Sequence, residues 1–114
     1  MLTCLLSRSN RAGKKYRVTI IDPKRDTERT VHFGATGYSD YTIHRDPERM
    51  ERYVQRHRAR ENWTRSGIYT AGFWSRWILW NKPSFAASIR DTAQRFQIQI
   101  RNQTGRRLLK REKN

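Results

Sequence analysis

From Tyr16 to Ile20 the chain alternates apolar and polar side chains, and Thr30-Val-His-Phe33 alternates again with Val31 and Phe33 on one face. Period-two alternation marks a half-buried strand. The polar run between the two segments opens on Asp22-Pro23, which is turn chemistry, so a β-hairpin is predicted. Gly34 and Gly37 break the second strand and open a loop through Tyr38-Ser-Asp-Tyr41. At Asp46 the period changes. Asp46-Pro47-Glu48 reads as a helix start, with Asp as N-cap, Pro at the first position and an acid near the positive end of the helix dipole. Met50, Tyr53, Val54 and His57 then fall at i, i+3, i+4 and i+7, which predicts a helix to about Arg60 with one core-facing stripe. Residues 71–80 place Phe73, Trp74, Trp77 and Trp80 on one broad side of a second helix and Leu79 on the other, so this segment should be central to the core. Asn81-Lys-Pro-Ser84 ends it and Ser84 caps a third helix carrying Phe85, Ile89, Ala93 and Phe96. Gln97-Ile-Gln-Ile-Arg101 returns to period two and is expected to pair with the hairpin as a third strand. The order β-β-α-α-α-β predicts an α+β fold: a small, mostly antiparallel sheet with about three helices packed on one face.

Composition adds the arrangement around that core. At 114 residues one domain is expected. Twenty-five Lys+Arg against 10 Asp+Glu leave a formal net charge of +15, unevenly spread. Residues 1–17 hold five basic side chains and no acid, and residues 101–114 hold six basic and one acidic. This predicts a single domain over 16–101 between basic arms at 1–15 and 102–114, arms that stay mobile until a partner orders them. Within the domain, Arg45, Arg49, Arg52, Arg56 and Arg60 form a second stripe beside the apolar one. Together with Arg106, Arg107, Lys110 and Arg111 they are the candidate partner- or phosphate-binding residues; a merely solvated face is the competing reading. Trp63, Phe73, Trp74, Trp77, Trp80 and Phe85 are the candidate aromatic core, since a domain with so few aliphatics needs the area that buried rings supply.

Catalytic chemistry is thin. His32, His44 and His57 lie at spacings that fit no zinc pattern, and Cys4 alone cannot complete a cluster or an internal disulfide. A ββα-metal nuclease would need an orienting Asn between His32 and His57, and none occurs there. Gly67-Ile-Tyr69 matches only half of the GIY-YIG nuclease signature. Phosphate-loop, serine-elbow and zinc-helix motifs are missing. Asp40, His44 and Asp46 read as capping groups of a glycine-flanked loop and helix start. The expectation is therefore a non-enzyme without cofactor, metal or small-molecule substrate. No apolar run is long enough for a membrane span, and Met1–Leu6 is too short for a signal-peptide core.

The stretch from Thr30 to Asp46, then Arg52-Tyr-Val-Gln-Arg-His57, Glu61-Asn-Trp-Thr-Arg-Ser-Gly67 and Thr70-Ala-Gly-Phe-Trp-Ser-Arg-Trp-Ile-Leu-Trp-Asn-Lys-Pro-Ser84 with Ser88-Ile-Arg-Asp91, resembles a family of small basic proteins of nucleocytoplasmic large DNA viruses, the giant viruses. The resemblance covers about residues 30–96 and centres on GFWSRWxLWNKP. It implies a viral setting and no established activity, so no residue role is transferred from it. In that setting a short non-enzymatic protein is expected to be a virion component: a minor capsid protein that bridges or cements larger capsid proteins, major or minor, through its arms and arginine stripe. Its expected location is the capsid, and the host cytoplasm or nucleus during assembly. A sequence-nonspecific nucleic-acid-binding, genome-packing role is the alternative, with DNA as partner. The chain's bias to Arg, 19 against 6 Lys, favours bidentate pairing with carboxylates over simple charge neutralisation.

Overall fold

The computed structural model describes residues 1–106. Strand β2 (Lys14–Asp22) and strand β3 (Thr27–Ala35) form the predicted hairpin, with Tyr16 opposite Phe33 and Val18 opposite Val31. Its turn is closed by the Asp22 carboxylate, which accepts the backbone N–H of Lys24 at 3.0 Å. Strand β4 (Gln99–Asn102) also forms where the period-two run predicted it.

The N-terminal segment is not an arm. Thr3–Arg8 is a strand, β1, and it lies inside the sheet, whose order is β3-β2-β1-β4. Cys4 and Leu6 are fully buried and face Ile20 and Val18 across the antiparallel β1–β2 ladder. β4 consequently pairs with β1, in parallel, and not with the hairpin. The sheet is mixed, with two antiparallel pairs and one parallel pair. The five basic residues that suggest an arm start at Arg8, where β1 ends, and continue through the turn into β2. A charge average over 17 residues conceals a six-residue strand flanked and filled by Leu2, Cys4 and Leu6, which alternate at period two.

The core-forming helical segments pack on one face of this sheet. Asp40 caps a single turn, α1 (Tyr41–His44), accepting the N–H of Thr42 at 3.0 Å. Asp46 then caps α2 (Pro47–His57), with Pro47 at its first position. The helix stops at His57, one turn before the expected Arg60. A 3-10 turn at Arg65–Gly67 leads to α3 (Ala71–Trp74), which runs directly into a π turn over Ser75–Leu79. That wider turn, closed by Trp80 N–H to Ser75 C=O, coincides with three consecutive buried residues, Trp77, Ile78 and Leu79. Ser84 caps α4 (Phe85–Phe96), and Gln97 ends it in the left-handed conformation that turns the chain into β4. The core joins Cys4, Leu6, Tyr16, Val18, Ile20 and Phe33 of the sheet to Phe73, Trp74, Ile78, Leu79, Phe85 and Ile89 of the helices. No helix among the described residues is long and apolar enough to cross a membrane.

Candidate functional site

The arginine stripe is mounted on the aromatic core. Tyr53 of α2 is buried and stacks on Trp80, with ring centroids 4.3 Å apart and planes within 3°. His57, one turn on, stacks on the other end of the pair at 4.3 Å from Tyr53. This column seats one side of α2 on the end of the π turn, and the side carrying Arg49, Arg52 and Arg56 is left in solvent. Arg45 and Arg60 are exposed too, but neither is on the helix. Arg45 sits in the left-handed cap that ends α1, and Arg60 is in the turn after α2. The row thus has a rigid centre of three arginines and one loop arginine at each end. Among the described residues none of the five is in an ion pair, and Glu48 and Glu51, on the same helix, lie beyond ion-pair distance of them.

Arg56 is also one wall of a cleft of roughly 380 Å3, which lies between α2, the start of α3 and the open end of the hairpin. Lys14, Tyr38, His57 and Glu61 contribute its polar lining. At its base the Lys15 ammonium meets the buried Asp40 carboxylate at 2.6 Å, while the other Asp40 oxygen accepts from the Thr42 N–H and hydroxyl. Asp40 and Asp46 are therefore spent on caps, as their positions suggested. His44 acts likewise, its Nδ1 accepting from the Asp46 N–H at 2.9 Å. The Glu61 carboxylate lies against Gly72, in the space that a Cβ there would take, so a larger residue at 72 would push the Glu61 side chain aside.

Arg106 does not belong to a free arm. Its guanidinium donates to the Tyr16 hydroxyl at 2.9 Å and the Thr42 hydroxyl at 2.9 Å, and it lies over the Phe85 ring at 4.3 Å. It clamps the chain after β4 to the sheet, to α1 and to α4, and its reading as a partner or phosphate ligand is corrected to a structural one. Arg107, Lys110 and Arg111 lie outside the described residues. Arg106→Ala should therefore destabilise the fold by about 1–3 kcal/mol, since it leaves two hydroxyls without their charged donor. Thermal melting checks this; an unchanged midpoint would return Arg106 to the surface set.

The aromatic set divides in the same way. Phe73, Trp74, Trp77 and Phe85 are buried, whereas Trp63 and Trp80 are half-buried at the margin. Two arginines not singled out from the sequence complete that margin. Arg76 lies over Trp77 at 4.6 Å and Trp63 at 5.3 Å, and Arg95 lies over Trp77 at 4.5 Å while bonding Asp91. Burial first, and then the nearby positive charge of Arg95, holds Arg76 below the ordinary guanidinium value. Arg95 falls four residues after Asp91, an i, i+4 spacing that could have revealed the pair. Arg76 had no such signal, because its stacking on Trp63 depends on a loop that the fold brings alongside.

A family model described as a family of unknown function, DUF5754, matches residues 5–57, from β1 to the end of α2 and so a little under half of the chain. No curated protein matches the chain, and neither does any solved structure. The likeness is thus to a family whose function is unknown, and it spans the sheet's hairpin together with the helix that bears the arginine row.

Proposed function

We propose that the protein is a non-enzymatic structural component of a large DNA virus particle, a minor capsid protein that docks on an acidic surface of a larger capsid subunit. The observation that carries this reading is the α2 row: three exposed arginines on a helix fixed by ring stacking, flanked by two more, with no carboxylate of the described chain paired to any of them. A solvated helix face of this kind usually mixes signs and forms i, i+4 pairs. A row of arginines held without carboxylate partners instead offers planar forks that match carboxylates two bonds at a time. The viral setting comes from the sequence resemblance. Because β1 occupies the segment expected to be the N-terminal tether, that segment does not serve as an arm, and the α2 row is the first folded surface available for docking.

Particle fractionation tests the proposal. The protein is expected in the shell fraction of purified particles, and recovery with the genome core would overturn it. The triple variant Arg49→Lys/Arg52→Lys/Arg56→Lys keeps the charge and removes the forks. It should enter particles several-fold less efficiently than the parent, whereas full incorporation would mean that charge alone is read.

A further inference from the structure

The face of the sheet turned away from the helices is the second surface. Cys4, Leu6, Tyr16, Val18, Ile20 and Phe33 point into the core, so the alternate positions point outward. The ladder fixes what meets there. Ser7, Arg17 and His32 form one line across β1, β2 and β3, and Arg101, Leu5, Thr19 and Thr30 form the next across all four strands. Among the described residues none of these side chains is buried, and Thr30 and Arg101 are exposed. We propose that this open face binds the phosphodiester backbone of a nucleic acid, with Arg17, His32 and Arg101 as the phosphate-contacting side chains.

Charge and shape both favour that ligand. Arg17 is steadied by a bond from its Nε to the Ser7 hydroxyl at 3.0 Å, which leaves its two terminal nitrogens without a partner among the described residues. His32 shares a hydrogen bond of 2.8 Å with the Ser9 hydroxyl through Nδ1, so its other ring nitrogen is not engaged by that contact. Thr19 and Thr30 add hydroxyls. Among the described residues the one strand carboxylate on this face, Glu28, sits opposite Ile21 at the far end of the hairpin, four residues or roughly 14 Å along β3 from His32. Burial first, and then the charges of Arg11, Arg17 and Lys14, holds His32 below the ordinary imidazole value, and no acidic group acts on it in the other direction. The potential over this end is therefore positive. Arg101 and Arg17 stand two strands and two residues apart, about 12 Å on the diagonal, which suits successive contacts along an extended polyanion.

A protein partner fits less well. Protein interfaces centre on a buried apolar anchor, and among the described strand residues the only apolar side chains on this face are Leu5 and Ile21. Among the described residues there is also no Phe, Tyr or Trp on this face to stack a base. The contact is thus to backbone and independent of sequence. This inference does not rest on the capsid proposal, which concerns the α2 row on the helical side.

Fluorescence anisotropy with labelled 20-mers, single-stranded and duplex, at low and near-physiological salt, tests it. Arg17→Gln/Arg101→Gln should weaken binding about tenfold at low salt and flatten the slope of log K against log salt by about 0.7–0.9 for each contact removed. Arg49→Gln/Arg52→Gln/Arg56→Gln, on the other side, should change both much less. The proposal is overturned by the converse pattern, in which the sheet variant binds like the parent and the α2 variant does not. A measurement on the parent protein guards against a variant that fails to fold: the His32 ring resonances should move on titration with the oligonucleotide, and resonances unmoved at saturation would also overturn it. Polyglutamate of equal charge should neither bind as tightly nor shift those resonances; if it does both, the face belongs to an acidic protein and the assignment to nucleic acid is wrong.

Discussion

Trp74→Ala is expected to leave the protein largely unfolded near physiological temperature. The Trp74 side chain is the largest among those with no solvent exposure, and its indole N–H donates to the Ile68 carbonyl at 2.7 Å. It packs edge-on to Phe73 at 5.2 Å and lies 6.4 Å from Phe33 on the sheet. Removing it opens a cavity at the junction of sheet and helices, a change that costs about 3–5 kcal/mol for aromatic-to-alanine substitutions. It also strands a buried carbonyl, for a further ~1–3 kcal/mol. Against a total stability of about 5–15 kcal/mol for domains of this size, the loss is decisive. Thermal unfolding followed by circular dichroism should show a midpoint lowered by ~15 °C or more. A shift of only a few degrees would mean that the core tolerates the cavity. Trp80→Ala is the informative contrast. Trp80 is half-buried, so the fold should survive, but α2 loses the ring on which Tyr53 rests and the arginine row loses its seat.

Leu6→Asp should be nearly as damaging, and it distinguishes a strand from an arm. In a mobile basic arm this substitution would be harmless. In β1 it places a carboxylate at a position with no exposure, opposite Val18 on one side and Asn102 on the other. An unpaired charge there costs several kcal/mol, or forces the carboxyl to stay protonated. The consequence reaches beyond one strand, because among the described residues β1 is the strand that β4 pairs with. Cys4, two residues away, reports the same event. Burial pushes its thiol up to about 12, with Arg65 acting weakly in the opposite direction, so in the parent it should resist alkylation at neutral pH until the protein unfolds. In Leu6→Asp the thiol should react rapidly without denaturant. Slow labelling in the variant, together with an unchanged melting curve, would show that the first strand contributes little.

Several elements are legible in the residues alone because their determinants are local. Asp46-Pro47-Glu48 caps α2 through a side chain two residues from the group it bonds. Ser84 caps α4 through a bond to Ala87. The alternation in 16–20 and 30–33 is enough to place the hairpin, and the apolar girdle of 71–80 is enough to make it central. The α+β class follows from that order of elements. The stripe of arginines along α2 is visible too, since a helix of known start fixes which residues share a face.

Other features depend on partners distant in sequence. β1 is short, and its two inward residues, Cys4 and Leu6, acquire meaning only when Ile20, Val18 and Ile100 arrive to pair with them. Its neighbours in the chain are basic, so local composition points toward an arm while the ladder requires a strand. Arg106 lies in a basic run and resembles its neighbours, yet the fold brings Tyr16 and Thr42, 90 and 64 residues away, to its guanidinium. The outward line of Ser7, Arg17 and His32 has the same origin. No spacing in the sequence connects those three residues, because the cross-strand register that aligns them is set by which faces of the strands must be buried. Caps, periodicity and the excess of positive charge are properties of the chain itself, and they hold wherever the elements come to lie. Which of those charges stand free on a surface, and which are consumed in holding the fold, is settled by tertiary pairing, because a guanidinium is exposed or satisfied only according to what the rest of the chain brings beside it.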